Sequence, residues 1–291
     1  MKRIEFFEKN DKLLADGTGY RMPAVKNEVN LNWWHMKYNQ TEQNLGDMLS
    51  EVIYNFMCNK YGLDVHTKLK KTCHFYAVGS ILFFENQDAV VWGTGCTKES
   101  EKNINNIIHQ KYMRKLDVRA VRGPKTKEAL DKLGIKCPEV YGDPAMLMPL
   151  IYQPVDKKTD ITVVITHLKD EKEMCDRYAS DIVITDMVTD DWKKKIDMIV
   201  SAKRVISSSL HGLILAESYG VPAVLLRPKT ENSLFKYEDY YLGTGRNNFP
   251  IVNSIEEGMQ YDMKNYSFPS METIQNRLIE SFPKDIWDKK K

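Results

Sequence analysis

Apolar and polar positions along the chain alternate between two spacings. In residues 44–60, Leu49, Val52, Ile53 and Phe56 recur at helical spacing, which predicts a helix opened by Gly46 and Asp47 as turn and N-cap. Shorter β-type runs over 74–78 and 89–92 lead into the glycine loops Gly79-Ser80 and Gly93-Thr94-Gly95. A third strand over 117–121 ends at Arg122-Gly123-Pro124, and a helix over 125–133 is stopped by Gly134. A second series follows: strand 161–166, helix near 171–180, strand 181–185, helix 190–201, strand 204–207, helix 210–219 and strand 223–226. From Ser270 onward Ile274, Leu278, Ile279 and Phe282 return to helical spacing.

Strand alternating with helix is the pattern of parallel sheets covered by helices, an α/β fold. The polar, proline-containing stretch 153–160 is the best linker, dividing the chain into a first α/β domain at 1–152 and a second at 153–265. The helical tail, 266–291, is expected to pack back on the first domain. Two such halves enclose a cleft, and the loops after parallel strands face it, so chemistry is to be sought there.

Composition narrows the function classes. Of 291 residues, 42 are basic and 40 acidic, a formal net charge of +2, so no global field draws the chain to nucleic acid. An anionic ligand must be held by locally placed cations. The longest apolar runs, such as 206–215 and 221–226, are broken by Ser, His, Gly and Pro well short of the roughly 20 residues a bilayer span needs. The N-terminus lacks an apolar core and cleavage site for secretion. Five scattered cysteines without a CxxC pair read as reduced thiols of a cytoplasmic protein.

Two segments carry candidate chemistry. Residues 204–226 read as strand, serine-rich turn, helix, glycine stop and strand. Ser208, Ser209, Leu210 and Gly212 around the helix start offer hydroxyls and unpaired N–H groups to an anion, and His211 lies in the first turn, where it could touch that anion or move a proton. The bland alternative is that the serines only cap the helix. The other segment places Arg122 at a strand end, where a planar guanidinium grips phosphate or carboxylate, or else snorkels over the next helix. Asp143, before Pro144, either contacts a hydroxyl or shapes a turn.

RGPxT (Arg122, Gly123, Pro124, Thr126), GDPA (Gly142 to Ala145) and SSSLHGLILAESYGVPAVLL, in this order, resemble the polysaccharide pyruvyl transferase family. Asn44-Leu-Gly-Asp47 is similar to the family's NxGD element, Gly79-Ser-Ile-Leu82 and Trp92-Gly-Thr-Gly95 to its first-domain loops, and Phe235-Lys-Tyr-Glu-Asp-Tyr-Tyr241 to an FKxxDYY block of the branch typified by succinoglycan pyruvyl transferase. The resemblance implies two Rossmann-like domains facing a cleft, similar to GT-B glycosyltransferases. It implies phosphoenolpyruvate as donor, no cofactor, and a sugar acceptor that becomes a cyclic pyruvate ketal as phosphate is released. A lipid-linked oligosaccharide at the inner membrane face is one form such an acceptor takes, with the protein cytoplasmic or peripherally attached there.

By motif, Arg122, His211 and a lysine become the catalytic, donor-binding cations, with Lys236 preferred over Lys229. Arg122, His211 and Lys236 are then expected to converge on one cleft. Removing Arg122 is expected to cost about 2 to 4 kcal/mol of transition-state stabilisation while hardly moving the melting temperature. Asn44, Asp47, Gly95 and Asp143 join as substrate-binding residues, and His167 resembles a PHY-type element whose proline is here Thr166. The acid that protonates the donor carbon is not identified. No metal is expected, since the six histidines are scattered. A nucleotide-sugar glycosyltransferase or a catalytically degenerate carbohydrate-binding member are the rival readings.

Overall fold

A computed structural model of the chain describes residues 24–36, 42–83, 87–97, 114–155, 158–167, 181–229 and 233–288. Its strands, in chain order, are β1 (Val29–Asn32), β2 (Gln43–Asn44), β3 (Cys73–Tyr76), β4 (Ala89–Trp92), β5 (Leu116–Ala120), β6 (Thr162–Ile165), β7 (Ile182–Thr185), β8 (Val188–Thr189), β9 (Arg204–Ser207), β10 (Ala223–Leu226) and β11 (Ile251–Val252). The helices that matter below are α1 (Leu45–Lys60), α2 (Pro124–Lys132), α3 (Met148–Ile151), α4 (Trp192–Ser201), α5 (Leu210–Ser218), α6 (Phe235–Gly243), α7 (Ile255–Gln260) and α8 (Met271–Glu280).

The strands form two wholly parallel sheets, ordered β1-β3-β4-β5 and β11-β10-β9-β6-β7, as the strand and helix alternation predicts. The predicted helix at 171–180 lies outside the described residues. Strand order in the second sheet reverses at β6: β7 lies on one side of it and β9 on the other. Such a reversal leaves a crevice beyond the strand ends, the usual ligand position in open α/β sheets. A two-residue antiparallel pair, β2 with β8, joins the halves, and Leu45 N–H donates to Met187 O at 2.7 Å. The start of α1 is thereby pinned to the second half.

One continuous apolar cluster runs through both halves. It includes Leu49, Ile53 and Met57 of α1, Phe75 and Trp92 of the first sheet, Met146 and Met148, Val163 and Ile165 of β6, and Leu213 and Leu215 of α5. Each such side chain contributes about 1.5 to 3 kcal/mol when taken fully from water. The tail lies against the first sheet: Trp92 Nε1 donates to Leu278 O at 2.9 Å, Gln275 Nε2 donates to Met146 O at 2.7 Å, and Phe282 meets Trp92 edge-on at 5.1 Å.

The opening of α1 departs from the sequence reading. The helix begins at Leu45 with Asn44 as N-cap and no side-chain cap bond, so Gly46 and Asp47 lie inside its first turn. The β2–β8 pairing supplies the restraint that a capping carboxylate would otherwise give, and leaves Asp47 free to face the crevice. Strand β1 and helix α6 have no counterpart among the predicted elements. β1 acquires its strand form from its neighbour β3, a pairing that spacing within 29–32 does not announce.

Candidate functional site

The crevice is assembled from strand ends. His167 follows β6 and Ser208 follows β9, the two strands at the reversal, and His167 N–H donates to Ser208 Oγ at 2.7 Å. Ser207 Oγ donates to Ser209 O at 2.8 Å and accepts Ser209 N–H at 3.0 Å, while Tyr237 donates its hydroxyl to Ser208 O at 2.6 Å. The hydroxyl of Ser207 is therefore engaged in shaping the turn, whereas Ser208 Oγ, which accepts from His167, still has its O–H to donate. The turn still presents the first-turn N–H groups of α5, from Leu210 to Gly212, with Ser209 as N-cap. Gly212 itself faces Ser207, where an added Cβ would lie 2.5 Å from Oγ.

His211 projects from that first turn across to the first half. Its ring rests on Gly46 so closely that a Cβ there would fall 1.8 Å from Nδ1. Only glycine in the first turn of α1 admits the imidazole, which gives the NxGD element a steric reason. On the other side, His211 Nε2 stands 3.7 Å from Asp143 Oδ2. That is an ion-pair separation, too long for a hydrogen bond. Asp143 is fully buried, and its Oδ1 caps the following turn by accepting Ala145 N–H at 3.0 Å. Its Oδ2 and His211 Nε2 are both buried and without a hydrogen-bond partner. Buried polar atoms left unpaired are uncommon, and these two face each other across the two halves. Asp143 is thus both the turn-shaping and the site-facing residue that the sequence left as alternatives.

Asp47 lies one residue past Gly46, half-buried, with Oδ1 under the Gly79 turn after β3, where a Cβ on Gly79 would meet it at 2.9 Å. Burial is the largest influence on its carboxyl and pushes it up from 3.8 to about 6; His211 opposes, Asp143 adds to the rise, and Lys236 opposes more weakly. Asp47, Asp143, His211 and Lys236 therefore share one electrostatic environment although they come from four separate segments. Lys236 is half-buried on α6 with its ammonium 5.0 Å from the Tyr237 ring centroid, whereas Lys229 is exposed beyond β10. Asn44, half-buried, pairs with Val188 at the entrance to α1.

Arg122 is enclosed instead of open to a ligand. The side chain has no exposed surface; Nε donates to Asp239 Oδ2 at 3.2 Å, Nη1 to Ser80 Oγ at 2.7 Å and Nη2 to Cys96 O at 2.7 Å. Thr126 completes the arrangement, its N–H and Oγ1 donating to Asp239 at 3.0 and 2.6 Å. Gly95 lies flat against the guanidinium, and a Cβ on Gly123 would strike Asp239 O at 1.8 Å, so α6 approaches RGPxT backbone to backbone. The expectation that losing Arg122 would leave melting almost unchanged is corrected: its loss strands a buried carboxylate. Of the three expected cations, His211 and Lys236 act on Asp47, whereas Arg122 is paired with Asp239. Asp239 is the residue that the sequence reading missed, though it sits within the FKYEDYY block.

Helix α6 is also fixed to α5. Arg246 holds Glu217 through Nη1–Oε1 at 2.6 Å and Nη2–Oε2 at 2.7 Å, Tyr240 donates to Glu217 at 2.5 Å, and Tyr266 donates to it as well. The helices carrying His211 and Lys236 thus hold one another rigidly. Among the described residues no group of three or more His, Cys, Asp or Glu side chains is arranged to hold a metal ion, and no helix is long and apolar enough to cross a membrane.

Fold and crevice together define an α/β protein with an acid–base cluster at the strand ends of two parallel sheets. Residues 38–230 match the model of the polysaccharide pyruvyl transferase family, and the chain belongs to that family. An uncharacterized protein of Acanthamoeba polyphaga mimivirus is 28% identical over 178 residues, 57% of this chain and 58% of that protein, so the match spans little more than half of the relative. The crystal structure of a functionally uncharacterized protein from Klebsiella pneumoniae superposes with a TM-score of 0.50 at 15% identity, covering 78% of this chain and 93% of that one, a likeness of fold alone.

Proposed function

We propose that the protein is a ketal-forming pyruvyltransferase that moves pyruvate from phosphoenolpyruvate to two hydroxyls of a sugar in a surface or exopolysaccharide precursor, releasing phosphate. In this reading the halves 1–152 and 153–265 act as two Rossmann-like units of GT-B type, the second binding the donor. The observation that carries it is the unsatisfied His211–Asp143 pair beside Asp47 and Lys236, set at the first turn of α5. A small donor with a phosphate and a carboxylate needs N–H groups and cations within a few ångströms, which the α5 start and Lys236 supply. His211 Nε2, aimed at the buried Asp143 carboxylate, is suited to take a proton from an acceptor hydroxyl and hold it as imidazolium. Arg122 supports this site through Ser80 and Asp239.

Protein cations suffice for the departing phosphate in this proposal, with no cofactor. The test is incubation of the full chain with phosphoenolpyruvate and a panel of lipid-linked and aryl glycosides, followed by mass spectrometry and phosphate assay, with and without chelator. A glycoside heavier by pyruvate less water, with equimolar phosphate unaffected by chelation, is the expected result. Release of a nucleoside diphosphate from a nucleotide sugar would sink the reading in favour of glycosyl transfer. Activity lost in chelator and restored by magnesium would sink the metal-free part.

A further inference from the structure

Ketal formation from an enol phosphate requires an acid able to protonate carbon, a step distinct from removing the hydroxyl protons. His211 is engaged in the latter, and Asp143 is fully buried with one oxygen tied to Ala145 N–H. Lys236 is a cation wanted for the donor's charges. Of the four groups that share this electrostatic environment, the proton-carrying one left is Asp47, half-buried, next in sequence to the Gly46 that the His211 ring rests on and packed under the Gly79 turn. We propose that Asp47 is the catalytic acid that delivers a proton to the methylene carbon of the donor, leaving the His211–Asp143 pair to serve the acceptor. This rests on the pyruvyl-transfer reading above.

The step balances as follows. The Asp47 O–H bond breaks, the π pair of the donor forms the new C–H bond, and C2 becomes an oxocarbenium centre. One acceptor hydroxyl adds to C2 and yields its proton to His211. The second hydroxyl then displaces phosphate, which takes the C–O bonding pair with it. Of the two hydroxyl protons lost, one is equivalent to that now on the methyl group, restored to Asp47 through solvent or His211, and the other leaves as the proton of hydrogen phosphate.

The surroundings of Asp47 suit the task. Among the described residues the ionisable groups acting on it are His211 from α5, Lys236 from α6 and Asp143 from the loop after α2, and the Gly79 turn above it brings no charge. Burial holds the carboxyl up at about 6, and an arriving phosphate and carboxylate raise it further by like-charge repulsion. Donor binding near neutral pH should therefore bring a proton onto Asp47 before chemistry.

Calorimetric titration of phosphoenolpyruvate into the full chain, in buffers of different ionisation enthalpy near neutrality, measures that proton. The wild type is expected to take up more protons than Asp47→Asn, which should bind at least as tightly because it lacks the carboxylate that repels the donor. With an acceptor found as above, Asp47→Asn should lower kcat by about 10²- to 10⁴-fold with little change in KM, and Asp47→Glu should recover part of the loss. The fall of kcat/KM above about pH 6 should vanish in the Asn variant. Equal proton uptake in both proteins, or kcat retained within tenfold by Asp47→Asn, would overturn the assignment while the pyruvyl-transfer reading stands. A wild type that neither binds nor consumes phosphoenolpyruvate would remove that reading and this one together.

Discussion

Two pairs of a basic side chain with a carboxylate join the first half of the molecule to helices of the second, and they are built in opposite ways. Arg122 and Asp239 have no exposed surface, and with the bonds from Arg122 to Ser80 and Cys96 and from Thr126 to Asp239 every side-chain nitrogen and oxygen of the pair has a partner. His211 and Asp143 stop at 3.7 Å, and the facing atoms of both are buried without a hydrogen-bond partner. A satisfied buried pair fixes geometry; an unsatisfied one retains affinity for something that can complete it. Motif membership alone had placed Arg122 and His211 in the same role, and the hydrogen-bond inventory separates them.

The largest expected effect lies in the closed pair. Arg122→Ala leaves Asp239 buried and uncompensated, which should cost about 3 to 5 kcal/mol in urea-induced unfolding. The double variant Arg122→Met with Asp239→Leu removes both charges and should be markedly more stable than the sum of the single losses. If Arg122→Ala unfolds at the wild-type urea midpoint, the closed pair is not structural and the contrast with His211–Asp143 fails.

The open pair should behave in reverse, with a large effect on rate and a small one on stability. Gly46→Ala is the sharpest probe because it alters no chemical group. The new Cβ would overlap the His211 ring and push it from Asp143, while Ala in a helix is favoured over Gly by about 0.5 to 1 kcal/mol. Turnover should drop by about 10²-fold, the scale of a misplaced reacting group, while the helix preference offsets part of the clash, so that the melting temperature falls by less than in Arg122→Ala. Wild-type turnover in Gly46→Ala would show that the position of the imidazole is immaterial.

How far the sequence disclosed this contrast depends on range. β4, β9 and β10 fall where alternation and apolar runs predict them, because burial on both faces of a parallel strand leaves a local signature. The glycine loops, GDPA and LHG were legible as motifs for the same local reason. Asp239 was not, because its partner lies 117 positions away and FKYEDYY drew attention to Lys236. The start of α1 was misread since Asp47 is a good N-cap by type. Its actual restraint, the pairing of Gln43–Asn44 with Val188–Thr189, is a tertiary contact that spacing cannot show.

A smaller effect follows from Asp47. Its carboxyl titrates at about 6 in the folded protein against 3.8 ordinarily, so between these values the folded state binds more protons than the unfolded state, and stability falls as pH rises through that window. Two units correspond to about 3 kcal/mol, and partial contact with solvent reduces this to about 1 to 2. Asp47→Asn should therefore be more stable than the wild type at pH 8, by roughly 2 to 4 °C in melting temperature, and show no advantage near pH 4. An advantage of equal size at both pH values would mean that the gain comes from packing and that Asp47 is not a strained carboxylate.

The smallest effect separates the two lysines. Lys236 is a minor influence that lowers the Asp47 midpoint, and Lys229 stands exposed beyond β10. Replacing Lys236 by Met removes a nearby cation, which disfavours the carboxylate and moves the midpoint upward. Lys229→Met removes a charge screened by solvent and should leave the midpoint where it is, with stability within about 0.5 kcal/mol of the wild type. Both midpoints can be read from the pH dependence of the stability difference between each lysine variant and the same variant carrying Asp47→Asn. Because one shift is expected to be upward and the other absent, the sign decides even where the magnitude is small. A shift produced by Lys229→Met and not by Lys236→Met would transfer the site lysine from α6 to the loop after β10, and would remove α6 from the crevice chemistry, leaving it only the closed Arg122–Asp239 pair.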